Sequence, residues 1–244
     1  MLFLLFSALY DHRESLYIHM LFRPIRQLAD RFNVLQMGMV ASERVFDVLD
    51  TDSTIVDNGL IDKKIEGDFV ECGVFRGGSL GILSQYAEKY SLNCKIYGFD
   101  TFEDGFSSSS LSDKDITLQG EKVKFKKTDN NFYPTVQEVK NNLKNFFNED
   151  KYFPKLIKGD VLQTLKNPEN LPEKISILRL DTDLYLTTKL QLEVLFPKLV
   201  SGGILHIDDY GICPGVRTAV DEYFENQKIW LHRVDFTCRL MIKD

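Results

Sequence analysis

The chain has 244 residues, of which 43% are hydrophobic. That is enough for one domain of ~180 residues with a real core, plus an extension. A formal net charge of −6 argues against a nucleic-acid surface as its main business. Cys72, Cys94, Cys213 and Cys238 are widely spaced and form no metal-type pair. They read as reduced, mostly buried thiols of a cytoplasmic protein.

Residues 1–59 differ in texture from the rest. Met1 to Leu9 is apolar, but Asp11, His12, Arg13 and Glu14 interrupt it. No uninterrupted span of the ~20 residues of a membrane helix remains. No basic start precedes the apolar run, which argues against a cleavable signal peptide. Membrane contact through residues 1–35 is therefore the weaker reading. From Leu16 to Leu49 the pattern is helical, with Leu21, Ile25, Leu28, Phe32 and Leu35 on one face. His19 to Gly38 and Ala41 to Asp50 resemble an ABC exporter, between its last transmembrane helix and its nucleotide-binding domain. No Walker A motif follows, so no ATPase is implied. The resemblance implies a fusion or a chimeric reading frame, with residues 1–65 as a helical N-terminal segment. Any amphipathic helix rich in Arg and Leu would look similar.

Gly67 to Gly81 reads as a strand, a glycine turn and a helix start. Phe69 and Val70 carry the strand. Gly73, Gly77 and Gly78 permit a sharp turn and close approach to a ligand. Ser79 is expected to cap a helix running through Leu83 to Tyr90. Free N–H groups at such a helix start favour polar or anionic ligand groups. The next strand, Lys95 to Phe99, ends in Asp100, roughly 20 residues after the glycines, where an acid can hold ribose hydroxyls. The spacing Gly73-x-x-x-Gly77-Gly78 is not G-x-G-x-x-G, which argues against an ordinary dinucleotide site. Glu71 resembles the acid that S-adenosylmethionine folds commonly place before the first glycine.

The rest alternates strands and helices. Ser107 to Ser110 reads as a mobile loop, with a lid folding over a bound cofactor as the weaker alternative, and Lys122 to Lys127 reads as a solvated loop or hairpin. Pro134 begins a helix running through Val136, Val139, Leu143 and Phe147. Lys155 to Lys158 is a third strand, ended by Gly159 and Asp160. Ile175 to Leu180 is a fourth, apolar on both faces as a central parallel strand should be. Thr187 to Phe196 is a helix, Gly203 to Ile207 a fifth strand, and Val216 to Asn226 a helix. Ile229 to Val234 and Phe236 to Ile242 finish the sheet as an antiparallel pair. The pattern is α/β: a doubly wound, Rossmann-like sheet over residues 66–244, mostly parallel with an antiparallel C-terminal strand.

Two neighbouring strand ends carry acids: Asp181-Thr-Asp183 and Asp208-Asp209. In open α/β sheets, ligands sit beyond the carboxyl ends of the strands. Asp181, Asp208 and Asp209 can converge there. Three packed carboxylates repel one another and take up protons unless something neutralises them. A divalent cation with oxygen ligands, such as Mg²⁺, does so. One aspartate after a strand is ordinarily a helix cap; four at two neighbouring ends favour a metal. His206 is a rival base but reads better as a core histidine. Arg76 and Arg179 suit a carboxylate or a ligand, or equally surface pairing.

Glu71-Cys-Gly-Val-Phe-Arg-Gly-Gly78, Gly98-Phe-Asp-Thr-Phe-Glu103, Arg179-Leu-Asp-Thr-Asp-Leu-Tyr185, Asp208-Asp-Tyr-Gly211 and Gly215 to Tyr223 together resemble the macrocin O-methyltransferase family. The resemblance spans residues 66–244. It implies a metal-dependent enzyme that methylates a hydroxyl of a sugar or phenolic natural product from S-adenosylmethionine. By motif, Asp181, Asp208 and Asp209 would hold Mg²⁺ and Asp183 would be the general base. Glu71, Gly73, Gly77, Gly78 and Ser79 would form the cofactor turn. Asp100 would hold the ribose, with Thr101 and Asp160 completing the cofactor site. The family usually has Asp-Ser-Phe-Glu-Gly where this chain has Asp100-Thr-Phe-Glu-Asp104. The transporter-like segment stands where the family's own N-terminal helices would be. The resemblance also brings a homodimer into view. Two alternatives stand beside it: an inactive or non-enzymatic fusion with a cofactor-binding fold, and a membrane-associated transporter fragment.

Overall fold

A computed structural model describes residues 65–106, 108–124 and 133–244. The chain divides into two units, Met1–Asp62 and Lys63–Asp244, and the described residues belong to the second. The helical reading of Leu16 to Leu49, the exporter-like motif and the membrane contact of residues 1–35 lie outside the described residues, as do Ser107 and residues 125–127. Among the described residues no helix is long and apolar enough to cross a membrane.

Seven strands form one sheet. They are β1 (Asp68–Cys72), β2 (Ile96–Asp100), β3 (Lys155–Lys158), β4 (Ile175–Leu180), β5 (Leu199–Ile207), β6 (His232–Arg233) and β7 (Arg239–Ile242). Their spatial order is β3-β2-β1-β4-β5-β7-β6. The first five are parallel, whereas β7 runs antiparallel to β5 and β6 antiparallel to β7. The strand order reverses between β1 and β4, the switch point where open α/β sheets leave a crevice.

The helices are α1 (Gly78–Lys89), α2 (Val136–Leu143), α3 (Val161–Thr164), α4 (Tyr185–Leu195) and α5 (Pro214–Tyr223). Strand alternation sends side chains to two layers. Val70, Leu178, Leu180, Leu205 and Ile207 pack with Leu192 and Leu195 of α4 and Val216 and Val220 of α5. Phe69 and Ile96 pack with Leu80 and Ala87 of α1 and Val139 and Leu143 of α2.

Local chemistry moves several expected boundaries. α1 is not capped by Ser79: its N-cap is Gly77 at φ 85°, with no side-chain cap, and Ser79 is already the second helical residue. α2 starts later than Pro134 and stops well before Phe147. Thr135 and Glu138 form a capping box, Glu138 N–H donating to Thr135 Oγ1 at 3.2 Å and Thr135 N–H to Glu138 Oε2 at 2.8 Å. β6 and β7 are shorter than expected because the chain turns at Asp235. Its Oδ1 accepts the Thr237 and Cys238 N–H groups at 2.8 and 2.7 Å, taking them from the ladder. Within the serine run, Ser108–Ser110 forms a 3₁₀ turn, and Ser110 is buried.

β4 is not apolar on both faces. Arg179 lies in register with Glu71 of β1 on one side and His206 of β5 on the other. A row of polar side chains therefore crosses the middle of the sheet on one face, ending just below the carboxyl ends of the strands.

Candidate active site

A cavity of about 360 Å³ opens beyond the carboxyl ends of β1, β2 and β4. Gly73, Asp100, Thr101, Asp160, Asp181 and Asp183 all line it. These six sequence-predicted residues thus meet at one place, whereas Glu71, Asp208 and Asp209 do not line the cavity. Ser110, Phe106, Tyr133 and Thr187 also line it and were not expected there.

The turn after β1 is shaped by contact with β4. Gly73 has φ 91°, and a Cβ there would lie 1.7 Å from the Asp181 carbonyl oxygen. Glycine is required here by the chain's own backbone rather than by a ligand. Gly77 also needs its left-handed φ, but Gly78 faces open space and needs no special conformation. Gly77, Gly78 and Ser79 do not line the cavity. Asp100 is partly occupied by the same turn. Its Oδ2 accepts the Val74 and Phe75 N–H groups at 2.6 and 2.8 Å, and its Oδ1 accepts Phe102 N–H at 2.6 Å. Asp160 caps α3, accepting Leu162 N–H at 2.9 Å, while Ser110 Oγ donates to its other oxygen at 2.8 Å.

Arg179 holds the acids together. Its Nη1 donates to Glu71 Oε1 at 2.9 Å and Asp181 Oδ2 at 2.5 Å, and its Nη2 to Asp208 Oδ2 at 2.6 Å. One guanidinium thus bridges β1, β4 and the end of β5. The alternative of surface pairing fails, because Glu71 is only 1% exposed. The sequence did carry a signal: a lone arginine inside an apolar central strand must find carboxylates.

Asp181, Asp208 and Asp209 each offer an oxygen within 4.8 Å of the others. Burial pushes Asp181 up to about 6, against the pull of Arg179. Burial, then a hydrogen bond with Asp183, pushes Asp209 up to about 8. Asp183 is raised as well, first by burial. Glu71 is pushed up to about 8 by burial, with Arg179 opposing. One guanidinium does not neutralise this many buried carboxylates. Hard, converging, under-neutralised oxygens are a donor set that fits Mg²⁺.

Below the acids, Thr182 Oγ1 and Thr187 Oγ1 are 2.8 Å apart, and Gln191 Nε2 donates to Thr182 Oγ1 at 2.9 Å. This buried knot fixes the Asp181–Asp183 turn. Asp183 and Asp209 both hold left-handed backbone, at φ 60° and 56°. Such strain persists only where surrounding structure enforces it. His206 behaves as a core histidine: Nε2 lies 3.0 Å from Cys238 Sγ, and burial lowers its pKa. All four cysteines are free thiols.

A family model described as Macrocin-O-methyltransferase (TylF) matches residues 6–243. The chain belongs to this family. The match takes in most of the N-terminal segment, so the ABC-exporter resemblance finds no support from it. The chain is similar to demethyldecarbamoylnovobiocin O-methyltransferase of Streptomyces niveus. The two are 28% identical over 172 residues, covering 67% of this chain and 60% of that protein. It is likewise 28% identical over 163 residues to 8-demethyl-8-(2,3-dimethoxy-alpha-L-rhamnosyl)-tetracenomycin-C 4'-O-methyltransferase of Streptomyces olivaceus, covering 65% of this chain and 58% of that one. The chain thus spans about 60% of the length of these curated relatives. Among solved structures, the O-methyltransferase NovP superposes with a TM-score of 0.56 at 25% identity, covering 73% of this chain and 72% of that one.

Proposed function

We propose that the chain is a metal-dependent O-methyltransferase, moving the methyl group of S-adenosylmethionine to a hydroxyl of a sugar or phenolic natural product. One observation carries the reading: Asp181, Asp208 and Asp209 converge beside the cavity that runs to the glycine turn. The relatives' names supply the acceptor class, a rhamnosyl group in one case.

In this reading the donor lies along Gly73, Asp100, Thr101 and Asp160. Asp181 and Asp183 line the same cavity and would face the donor's methyl group. Asp181, Asp208 and Asp209 would hold Mg²⁺, which supplies Lewis acidity toward an acceptor oxygen. Asp183 takes the hydroxyl proton as the new C–O bond forms and the C–S bond breaks. The sulfonium charge disappears with that bond, leaving a methyl ether and S-adenosylhomocysteine. Thr182 and Thr187 keep Asp183 in place, and Arg179 keeps Asp181 and Asp208 from splaying apart.

Residues 66–244 would be the catalytic domain. We read residues 1–65 as part of the same enzyme rather than a transporter piece, because the family match begins at residue 6. A homodimer and a cytoplasmic location belong to the same proposal. The test is a methylation screen against sugar and phenol acceptors, with Mg²⁺ and with a chelator. Turnover that needs Mg²⁺ and is lost in Asp181→Ala is expected. Turnover indifferent to the chelator would overturn the metal assignment.

A further inference from the structure

α4 begins two residues after Asp183, yet it carries no side-chain cap of its own: Leu184 stands at the N-cap position. The missing acceptor comes from 70 residues away. Asp115 Oδ1 accepts Tyr185 N–H at 2.7 Å, and its Oδ2 accepts Ser112 N–H at 2.7 Å. Asp115 is 3% exposed, although it belongs to no helix or strand. A buried carboxylate in a connecting segment demands a reason.

The segment around it reaches the cavity through Ser110. At one end, Ser110 lines the cavity and donates to Asp160, the cap of α3. At the other end, Asp115 caps α4. Lys114 reinforces that end, donating to Tyr185 Oη at 2.9 Å and pairing with Glu222 of α5. Residues 108–115 therefore run as a strap from the end of β3 to the end of β4. Gly215 of α5 makes room for it. A Cβ there would lie 2.2 Å from Asp115 Oδ1. The glycine of that motif is thus explained by a carboxylate arriving from elsewhere in the chain.

We propose that Asp115 is a positioning residue: by capping α4 from the strap, it joins the cavity wall at Ser110 to the placement of Asp183. The Asp181–Asp183 turn holds left-handed backbone at Asp183, and its downstream anchor is the first turn of α4. Loosening Tyr185 N–H loosens Asp183. The same loss frees residues 108–115, and with them Ser110 at the donor wall. This inference rests on the proposed function for the role of Asp183, but the strap and the cap stand on geometry alone.

The experiment compares wild type, Asp115→Ala, Asp115→Asn and Gly215→Ala, each checked for a cooperative melt. S-adenosylhomocysteine affinity is read by calorimetry, amide exchange at Tyr185 by mass spectrometry or NMR, and kcat and KM by methylation assay. Asp115→Ala should weaken S-adenosylhomocysteine and unprotect the Tyr185 amide by roughly 3- to 30-fold, the scale of a lost cap. It should lower kcat by roughly 10- to 100-fold, the scale of a misplaced catalytic group. Gly215→Ala leaves the carboxylate present but displaces it, and should reproduce the same pattern. The double variant should be no worse than either single one, because both act through one contact. Asp115→Asn keeps an acceptor and should recover most of the affinity. Additive losses in the double variant, or unchanged affinity and exchange in Asp115→Ala, would overturn the proposal. A wild type that binds S-adenosylhomocysteine but transfers no methyl group leaves the strap to be judged on affinity and exchange, and defeats the proposed function alone. A wild type that does not bind it defeats both.

Discussion

Gly73 and Asp181 touch through their backbones: a Cβ on Gly73 would lie 1.7 Å from the Asp181 carbonyl oxygen. The glycine turn after β1 and the start of the acidic cluster are therefore in direct contact. Their spacing is set by two strands lying side by side, before any ligand arrives.

Gly73→Ala should accordingly be among the most damaging substitutions in the chain. It combines a left-handed φ with a clash against fixed backbone, and should cost more than ~3 kcal/mol. Gly78→Ala meets nothing within 4 Å and sits in a helix. It should be neutral or stabilise by up to ~1 kcal/mol. Urea unfolding of the pair distinguishes them.

Arg179→Met should destabilise by ~3–5 kcal/mol, because it leaves Glu71, Asp181 and Asp208 without their common cation. Denaturation in metal-free buffer above pH 8, where Glu71 and Asp181 are ionised, reads this directly. A loss below about 1 kcal/mol would mean that the three ion pairs do not form.

Glu71 gives a pH signature. Its pKa is raised from 4.5 to about 8, so the folded state holds a proton that the unfolded state has released across that window. Its stabilising contribution is complete below about 4.5 and is lost as pH rises through about 8. Asp181 and Asp209 act in the same direction, with folded values of about 6 and about 8. Metal-free protein should thus lose stability from pH 5 toward pH 8, and Glu71→Gln should flatten part of that slope. Urea midpoints at several pH values measure it; a slope of opposite sign would contradict the account.

Much of this was legible in the sequence, for a physical reason. Parallel strands buried in the sheet announce themselves as short apolar runs, and their ends are marked by Gly73, Asp100, Asp160, Asp181 and Asp208. Adjacency of β4 and β5 then brings the acids together. What stayed hidden depends on partners distant in sequence. Ser79 has the chemistry of a cap, but Gly77 takes the place. Asp115 looks like any loop aspartate until α4 is seen to need an acceptor. Arg179 lies within a strand that reads as apolar on both faces, and only register with Glu71 gives it a role. The C-terminal strands read too long because Asp235 withdraws two amides from the ladder.

Protons and Mg²⁺ should compete for the same oxygens. Because burial raises the Asp181 and Asp209 carboxyls, to about 6 and about 8, apparent Mg²⁺ affinity should weaken as pH falls below about 8. Calorimetric titration across pH checks this, and proton release on binding should accompany it. Binding independent of pH would place the cation elsewhere.

The central claim is that a cation held by Asp181, Asp208 and Asp209 sits against the methyl group of the donor. Mn²⁺ in place of Mg²⁺, with S-adenosylmethionine carrying a ¹³C-labelled methyl group, tests it by paramagnetic relaxation. The account predicts strong broadening of the methyl resonance in the wild type and none in Asp181→Ala. A sharp methyl signal from wild-type protein shown to have bound both Mn²⁺ and donor would contradict it.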